Sequence, residues 1–130
     1  MTVGLAATTL ANKWLDMLSA TAFTAPVGAF IKLHIGDPGA AGATSPAVGD
    51  ATRKAITYAA ASAGSKAMNG TLPVWTNVST TETISHISSW DAVTAGNFLF
   101  DAVLTAAQAW VNTNTFTLTS LTISMTPIAA

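Results

Sequence analysis

Residues 83–104, TISHISSWDAVTAGNFLFDAVL, read as two strands joined by a turn, and the reading of the remaining chain follows from them. Side chains alternate along a strand, so Ile84, His86, Ser88 and Trp90 share one face of the first arm and Thr83, Ser85, Ile87 and Ser89 the other. Neither face is wholly apolar. The second arm, residues 97–104, is denser in apolar residues and suits a strand buried on most of its surface. Between the arms, Asp91, Thr94, Ala95 and Gly96 make a small-residue connection with one glycine available for positive φ.

The segments on either side add one helix and further strands. Residues 1–7 are small and polar and read as an N-terminal arm. A helix is predicted over residues 8–20, with Thr8 or Thr9 as N-cap and Leu10, Trp14, Met17 and Leu18 on one stripe. Its Trp14 stripe is expected to dock on the domain's own sheet. Pro26 closes that region. GAFIKLHIG, residues 28–36, then alternates as a half-buried strand, ended by a turn at Asp37, Pro38 and Gly39.

Residues 39–50, GAAGATSPAVGD, carry no periodicity, and a loop of that length is usually functional or a contact surface. A strand over residues 54–60 follows. Residues 65–75 read as a hairpin about Asn69-Gly70, whose dipeptide suits a type I′ turn, with Pro73 in the return arm. Residues 77–81 are a polar connection, AAQAW (106–110) is too short for a firm helix, and residues 115–120 and 121–126 are two final β segments. The fold class expected is mainly β: a single antiparallel β-sandwich or jelly-roll-like domain over residues 28–126, preceded by one N-terminal amphipathic α-helix.

Composition narrows the classes of function. With 130 residues the chain has the length of one domain. Only 8% of residues are charged although 50% are hydrophobic, against about 25% charged in an average soluble domain. A surface of Ser, Thr, Asn, Gly and Ala repels neighbours weakly and suits a protein packed in an assembly. The formal net charge of -1 gives no basic excess for phosphate neutralisation, so nucleic acid is not an expected partner. No apolar run reaches the roughly 20 residues of a membrane-spanning helix, and a membrane is not expected either. Cysteine is absent, which removes disulfides, thiolate metal sites and cysteine nucleophiles together.

The titratable residues offer few constellations. His34 and His86, with Asp37 or Asp91, would make a metal site only if their strands were adjacent, and no spacing preorganises one. His86 with Asp91 is the pair a small hydrolase would use, and Asp91 with Asp101 the pair for glycoside hydrolysis. No G-x-S-x-G elbow or P-loop is present. No catalytic residue, cofactor or metal is assigned. Trp90 and Trp110 are candidates for stacking on a sugar, with core burial the competing reading for both and for Trp75. The candidate protein-contact residues are Trp14 on the helix and Asp37, Pro38, Gly39, Thr44 and Pro46 on the loop.

The order of the segments carries a family resemblance. Asn12-Lys13-x-Leu15-Asp16, Gly36-Asp37-Pro38-Gly39 after a strand, residues 53–58 (RKAITY), His86-Ile87 leading to Trp90-Asp91, and Gly96-Asn97-Phe98-Leu99-Phe100 follow one another across residues 11–127. Together they resemble small tailed-bacteriophage virion proteins labelled tail-fibre, minor tail or head-decoration proteins. The resemblance implies a non-enzymatic structural protein, assembled in the host bacterial cytoplasm into the virion. Its implied partners are other capsid or tail proteins and further copies of itself. The alternative it leaves is a carbohydrate- or receptor-binding module at the phage surface.

Overall fold

A computed structural model describes residues 3–125 of the chain. The protein is mainly β, as expected, with one N-terminal helical segment and antiparallel pairing throughout its sheets. Strands β1 (Phe30–His34), β2 (Lys54–Ala55), β6 (Glu82–Trp90) and β7 (Phe98–Trp110) form a four-stranded sheet in the order β2-β1-β6-β7. Strands β3 (Thr57–Tyr58), β4 (Ser65–Asn69) and β9 (Thr122–Ser124) make a second sheet, and β5 (Val74–Thr76) with β8 (Thr115–Thr117) a third.

The main core lies where the four-stranded sheet meets the β5–β8 ribbon, a sandwich-like arrangement. Ile31 and Leu33 from β1, with Ile84 and Ile87 from β6, pack against Trp75, Trp110, Phe116 and Leu118. Trp75 and Phe116 meet edge-on at 6.0 Å between ring centres. Each fully buried large side chain of this kind contributes about 1.5–3 kcal/mol. Trp75 and Trp110 both point their polar edge at a carbonyl, of Thr52 and Asn114 respectively, at 2.9 Å.

The expected central hairpin forms, but its second arm is longer than its sequence pattern indicates. β7 runs on to Trp110, so AAQAW is strand: Gln108 faces Ile84, Ala109 faces Thr83 and Trp110 faces Glu82. Cross-strand pairing and the burial of Trp110 override the helical preference of the alanines. Between Ile84 and His86 the partner position on β7 jumps from Gln108 to Val103, a bulge that leaves residues 105–109 exposed at the sheet's outer edge.

Residues 54–60 are not one strand. Ile56, buried between β2 and β3, donates its N–H to the Ala29 carbonyl at 2.9 Å, and there the chain passes from the first sheet to the second. The hairpin expected about Asn69-Gly70 is also corrected. β4 pairs with β3 and β9, while β5 pairs with β8. The tight reversal lies earlier, where Ser62 and Ser65 exchange both backbone bonds at 2.9 Å across Ala63 and Gly64, each with positive φ. That is the backbone of a type I′ turn without its usual asparagine. The last β segment was expected to run to Thr126, which with Pro127 lies outside the described residues.

At the N-terminus, residues 4–6 are zipped onto the outer edge of β7 where an arm was expected. Ala6 donates to the Leu99 carbonyl at 2.7 Å, Asp101 donates its N–H to the Gly4 carbonyl at 3.0 Å, and Gly4 donates to the Asp101 carboxylate at 2.6 Å. The helical segment spans residues 7–19: a wide turn at Ala7–Ala11, an α-helical turn at Asn12–Asp16 and a tight one at Met17–Ser19. Neither Thr8 nor Thr9 caps it. The N-cap position is Ala6, without a side-chain bond, and the Thr9 hydroxyl instead donates to the Phe98 carbonyl. Ala20, with φ of 62°, ends the segment in the left-handed conformation.

Candidate functional site

The loop proposed as a contact surface is ordered by its own side chains. Asp37 accepts a bond from the Gly39 N–H at 2.8 Å, and Gly39 turns the chain at φ of 72°. Thr44 donates its N–H to the Pro38 carbonyl at 2.9 Å. Beyond it the chain runs back beside β1, with Ile35 donating to Ser45 and Ala47 donating to Leu33. At its far end the Glu82 carboxylate gathers the N–H groups of Val48 and Gly49 at 2.9–3.2 Å. Thr44 stands exposed, Asp37, Gly39 and Pro46 are half-buried, and Pro38 is fully buried, supporting the loop from inside. The loop is therefore a fixed surface.

Beneath it the two histidines do come together. His34 and His86 are register partners on β1 and β6, so the adjacency a shared metal requires is met. Their ring nitrogens are otherwise employed. His34 Nδ1 donates to the Thr44 carbonyl at 2.8 Å, its Nε2 accepts from the Ser88 hydroxyl at 2.7 Å, and Ser88 in turn accepts from Trp90 Nε1 at 2.8 Å. One tautomer of a neutral imidazole satisfies the whole relay. Burial holds the His34 pKa below its ordinary value and Lys32 adds to that; the Thr44 carbonyl bond opposes them. His86 Nδ1 pairs with the Ser85 hydroxyl at 2.8 Å. Among the described residues no three His, Cys, Asp or Glu side chains gather as metal ligands would.

The Ser88–His34 pair has the spacing of a nucleophile and its base, yet both side chains are fully buried and the serine oxygen is already an acceptor for Trp90. Asp91, suggested as a partner for His86 or for Asp101, closes the β6–β7 turn: its carboxylate accepts the N–H and side-chain amide of Asn97 at 2.6 and 2.7 Å. Asp101 holds Gly4. Each acid is committed to local backbone, and the two face different surface hollows.

Neither tryptophan proposed for sugar stacking presents a ring to solvent. Trp110 is 1% exposed and Trp90 9%, and the Arg53 guanidinium lies 3.7 Å above the Trp90 ring. Arg53 also donates to the Ala92 carbonyl at 2.9 Å and the Ala95 carbonyl at 2.5 Å, clamping the hairpin turn. Core burial is the correct reading of both rings.

Trp14 does dock on the domain's own sheet, half-buried with Phe23 against Leu10, Leu99 and Phe100. The rest of its expected stripe faces outward, however. Leu18 is 85% exposed and Met17 47%; off that stripe Leu15 is 64% exposed, and beyond the helical turns Val27 is 89% exposed. The short, unevenly wound segment turns Leu10 and Trp14 inward and leaves Leu15, Met17 and Leu18 on the surface, which spacings of three and four did not announce.

Asn77 carries a role that its place in a polar linker gave no sign of. Its side chain, fully buried, donates to the Thr80 and Trp110 carbonyls at 2.8 Å and accepts from the Ser79 and Thr80 N–H groups at 3.1 Å. It ties the end of β5 to the end of β7. Only the Asx-turn tendency of Asn before Ser or Thr hints at it.

The fold and these surfaces can be set beside known families. A family model described as "Podophage GP4 fiber I protein gp80" matches residues 5–126. No curated protein matches the chain.

Proposed function

The chain belongs to that podophage fibre family, and from this premise we propose that it is a non-enzymatic structural part of a podophage virion, held in the fibre apparatus by protein–protein contacts. The family's description favours a fibre over capsid decoration. The observation that carries the reading is the exposure of the large apolar side chains Leu15, Met17, Leu18 and Val27 along one short stretch of a chain with so little charge. Large apolar side chains left in water along one stretch of chain suit an interaction surface. The rigid loop carrying Asp37, Gly39, Thr44 and Pro46 offers a second, polar contact at little ordering cost.

Its partners on this reading are other virion proteins. Among the described residues no cluster of free basic side chains supports a role in binding nucleic acid: Arg53 is clamped on the hairpin turn and Lys54 pairs with Asp50 at 3.5 Å. A sugar-stacking role loses its two candidate rings to the core. The test is phage carrying Leu18→Asp with Val27→Asp. A protein with unchanged circular dichroism, depleted at least tenfold from purified particles, is the expected result. Normal incorporation would overturn the proposal, and immunogold labelling on the head rather than the fibres would overturn its location.

A further inference from the structure

Asn69-Gly70 does not make the hairpin turn its sequence suits, because β4 pairs with β3 and β9. Asn69 is the last residue of β4, and Gly70, with φ of 75°, carries the chain out of the sheet. Both are exposed. Among the described residues no hydrogen bond engages the Asn69 side-chain amide or the Gly70 N–H. What holds Asn69 is its main chain: it is the register partner of Thr57, and its carbonyl accepts the Thr57 hydroxyl at 2.8 Å. β3 is a strand of only 2 residues, so this rung ends a short ladder at the surface, of the kind that opens locally at low cost.

We propose that Asn69-Gly70 is a site of spontaneous covalent modification, where the Gly70 nitrogen displaces ammonia from the Asn69 side chain and water opens the resulting succinimide to aspartate and isoaspartate. The steps balance with water and hydroxide alone. The Gly70 nitrogen gives its proton to hydroxide and bonds to Asn69 Cγ; the Cγ–Nδ2 bond breaks, and that nitrogen takes a proton from water and leaves as ammonia. Water then adds to one of the two ring carbonyls. Breaking the bond from the Gly70 nitrogen to Cγ leaves aspartate. Breaking its bond to the main-chain carbonyl carbon leaves isoaspartate, with the chain running through the former side chain.

The attacking nitrogen selects the place. A Cβ on the following residue crowds it, and glycine has none. Lys13, Val78, Phe98, Thr113 and Thr115 follow the other asparagines. Two of those asparagines are also tied: Asn77 is fully buried with its amide bound at both ends, and Asn97 donates its amide to Asp91. Thr57 acts against the reaction. The Gly70 nitrogen reaches Cγ only when the Asn69 main chain turns out of its extended form, which swings the Asn69 carbonyl off the Thr57 hydroxyl. The product carries one more negative charge on a chain whose formal net charge is -1, so stored protein should accumulate a second, more acidic form.

The test holds the full chain in mildly alkaline buffer and maps its peptides by mass spectrometry at intervals. A gain of one mass unit at Asn69 is expected, at least tenfold faster than at any other asparagine and at a rate rising in proportion to hydroxide. Both products should form, with isoaspartate in excess and labelled by an isoaspartate methyltransferase. Thr57→Ala, checked for an intact fold by circular dichroism, should convert at least twofold faster than wild type. No mass gain by the time a free peptide of residues 66–73 has fully converted would overturn the proposal. So would aspartate without isoaspartate, because direct hydrolysis of the amide gives the first alone. An unchanged rate in Thr57→Ala would overturn the restraining part given to that hydroxyl.

Discussion

Replacing Asn77 with alanine is predicted to be among the most damaging single changes outside the apolar core. The wild-type side chain makes four hydrogen bonds in a fully buried setting, two to carbonyls and two from amides. At about 1 kcal/mol net for each, with some recovery by water near Ser79, the loss comes to about 3–4 kcal/mol. A domain of this kind has about 5–15 kcal/mol in total, and each kcal/mol moves the midpoint by roughly 3–5 °C. Asn77→Ala should therefore melt about 10–20 °C lower. Urea unfolding followed by tryptophan fluorescence gives the free energy directly, and an unchanged m-value would show that the denatured state is not responsible. A loss below about 1 kcal/mol would refute the view that Asn77 holds β5 to β7. Asn77→Asp sharpens the test. It sets a carboxylate oxygen against the Thr80 and Trp110 carbonyls, so the folded form takes up a proton more readily than the unfolded one. Stability of that variant should fall as pH rises above about 4.

Gly49→Ala should destabilise by about 1–3 kcal/mol, because its Cβ would stand 2.5 Å from the Asn77 amide carbon; in an Asn77→Ala background most of that cost should vanish, which a double-mutant cycle measures. His34, held neutral with a lowered pKa chiefly by burial, should make the protein lose stability as pH falls below about 6.5, where the unfolded imidazole takes up a proton first. His34→Gln should flatten that stretch of a stability-against-pH curve. For Asp50, burial raises the pKa, but the Thr52 hydroxyl and N–H and the Lys54 charge outweigh it and hold the carboxyl below its ordinary value. Its contribution is present above about pH 4 and lost as pH falls through the folded pKa, so Asp50→Asn should be less sensitive to acid in thermal scans.

The parts of the fold legible in the sequence were those where one face of a strand meets water and the other meets the core, or where a turn residue has a unique use. β1 and the Asp37-Pro38-Gly39 reversal are of that kind, while the β6–β7 hairpin, buried on both faces beside its turn, was legible from its β-prone arms and the positive-φ Gly96 between them. Alanine blurs both signals. The far half of β7 alternates too weakly to announce a strand, and the Ala63-Gly64 turn lacks the asparagine that drew attention to Asn69-Gly70 instead. Ile56 reads as mid-strand because nothing local marks a chain that changes sheets. The candidate contacts were legible as a loop and a helix, but not their depth: Pro38 is buried and Leu18 is not. The apolar hollow between the helical segment and the sheets was not legible at all, since its wall is assembled from separate stretches scattered between Leu5 and Ile123.

Among the described residues a single ion pair, Lys54 with Asp50, joins two side chains. The other polar joins described here run from hydroxyls, amides, ring nitrogens and lone charges to backbone groups or to neutral side chains, many of them out of reach of solvent. Dissolved ions screen exposed charges from one another beyond about 10 Å at 0.1 M and act far less on such bonds. The folded chain should consequently be indifferent to the salinity of its surroundings, keeping the same midpoint in dilute buffer and in brine. A particle that leaves one cell and waits in whatever water it meets is served by building material with that indifference.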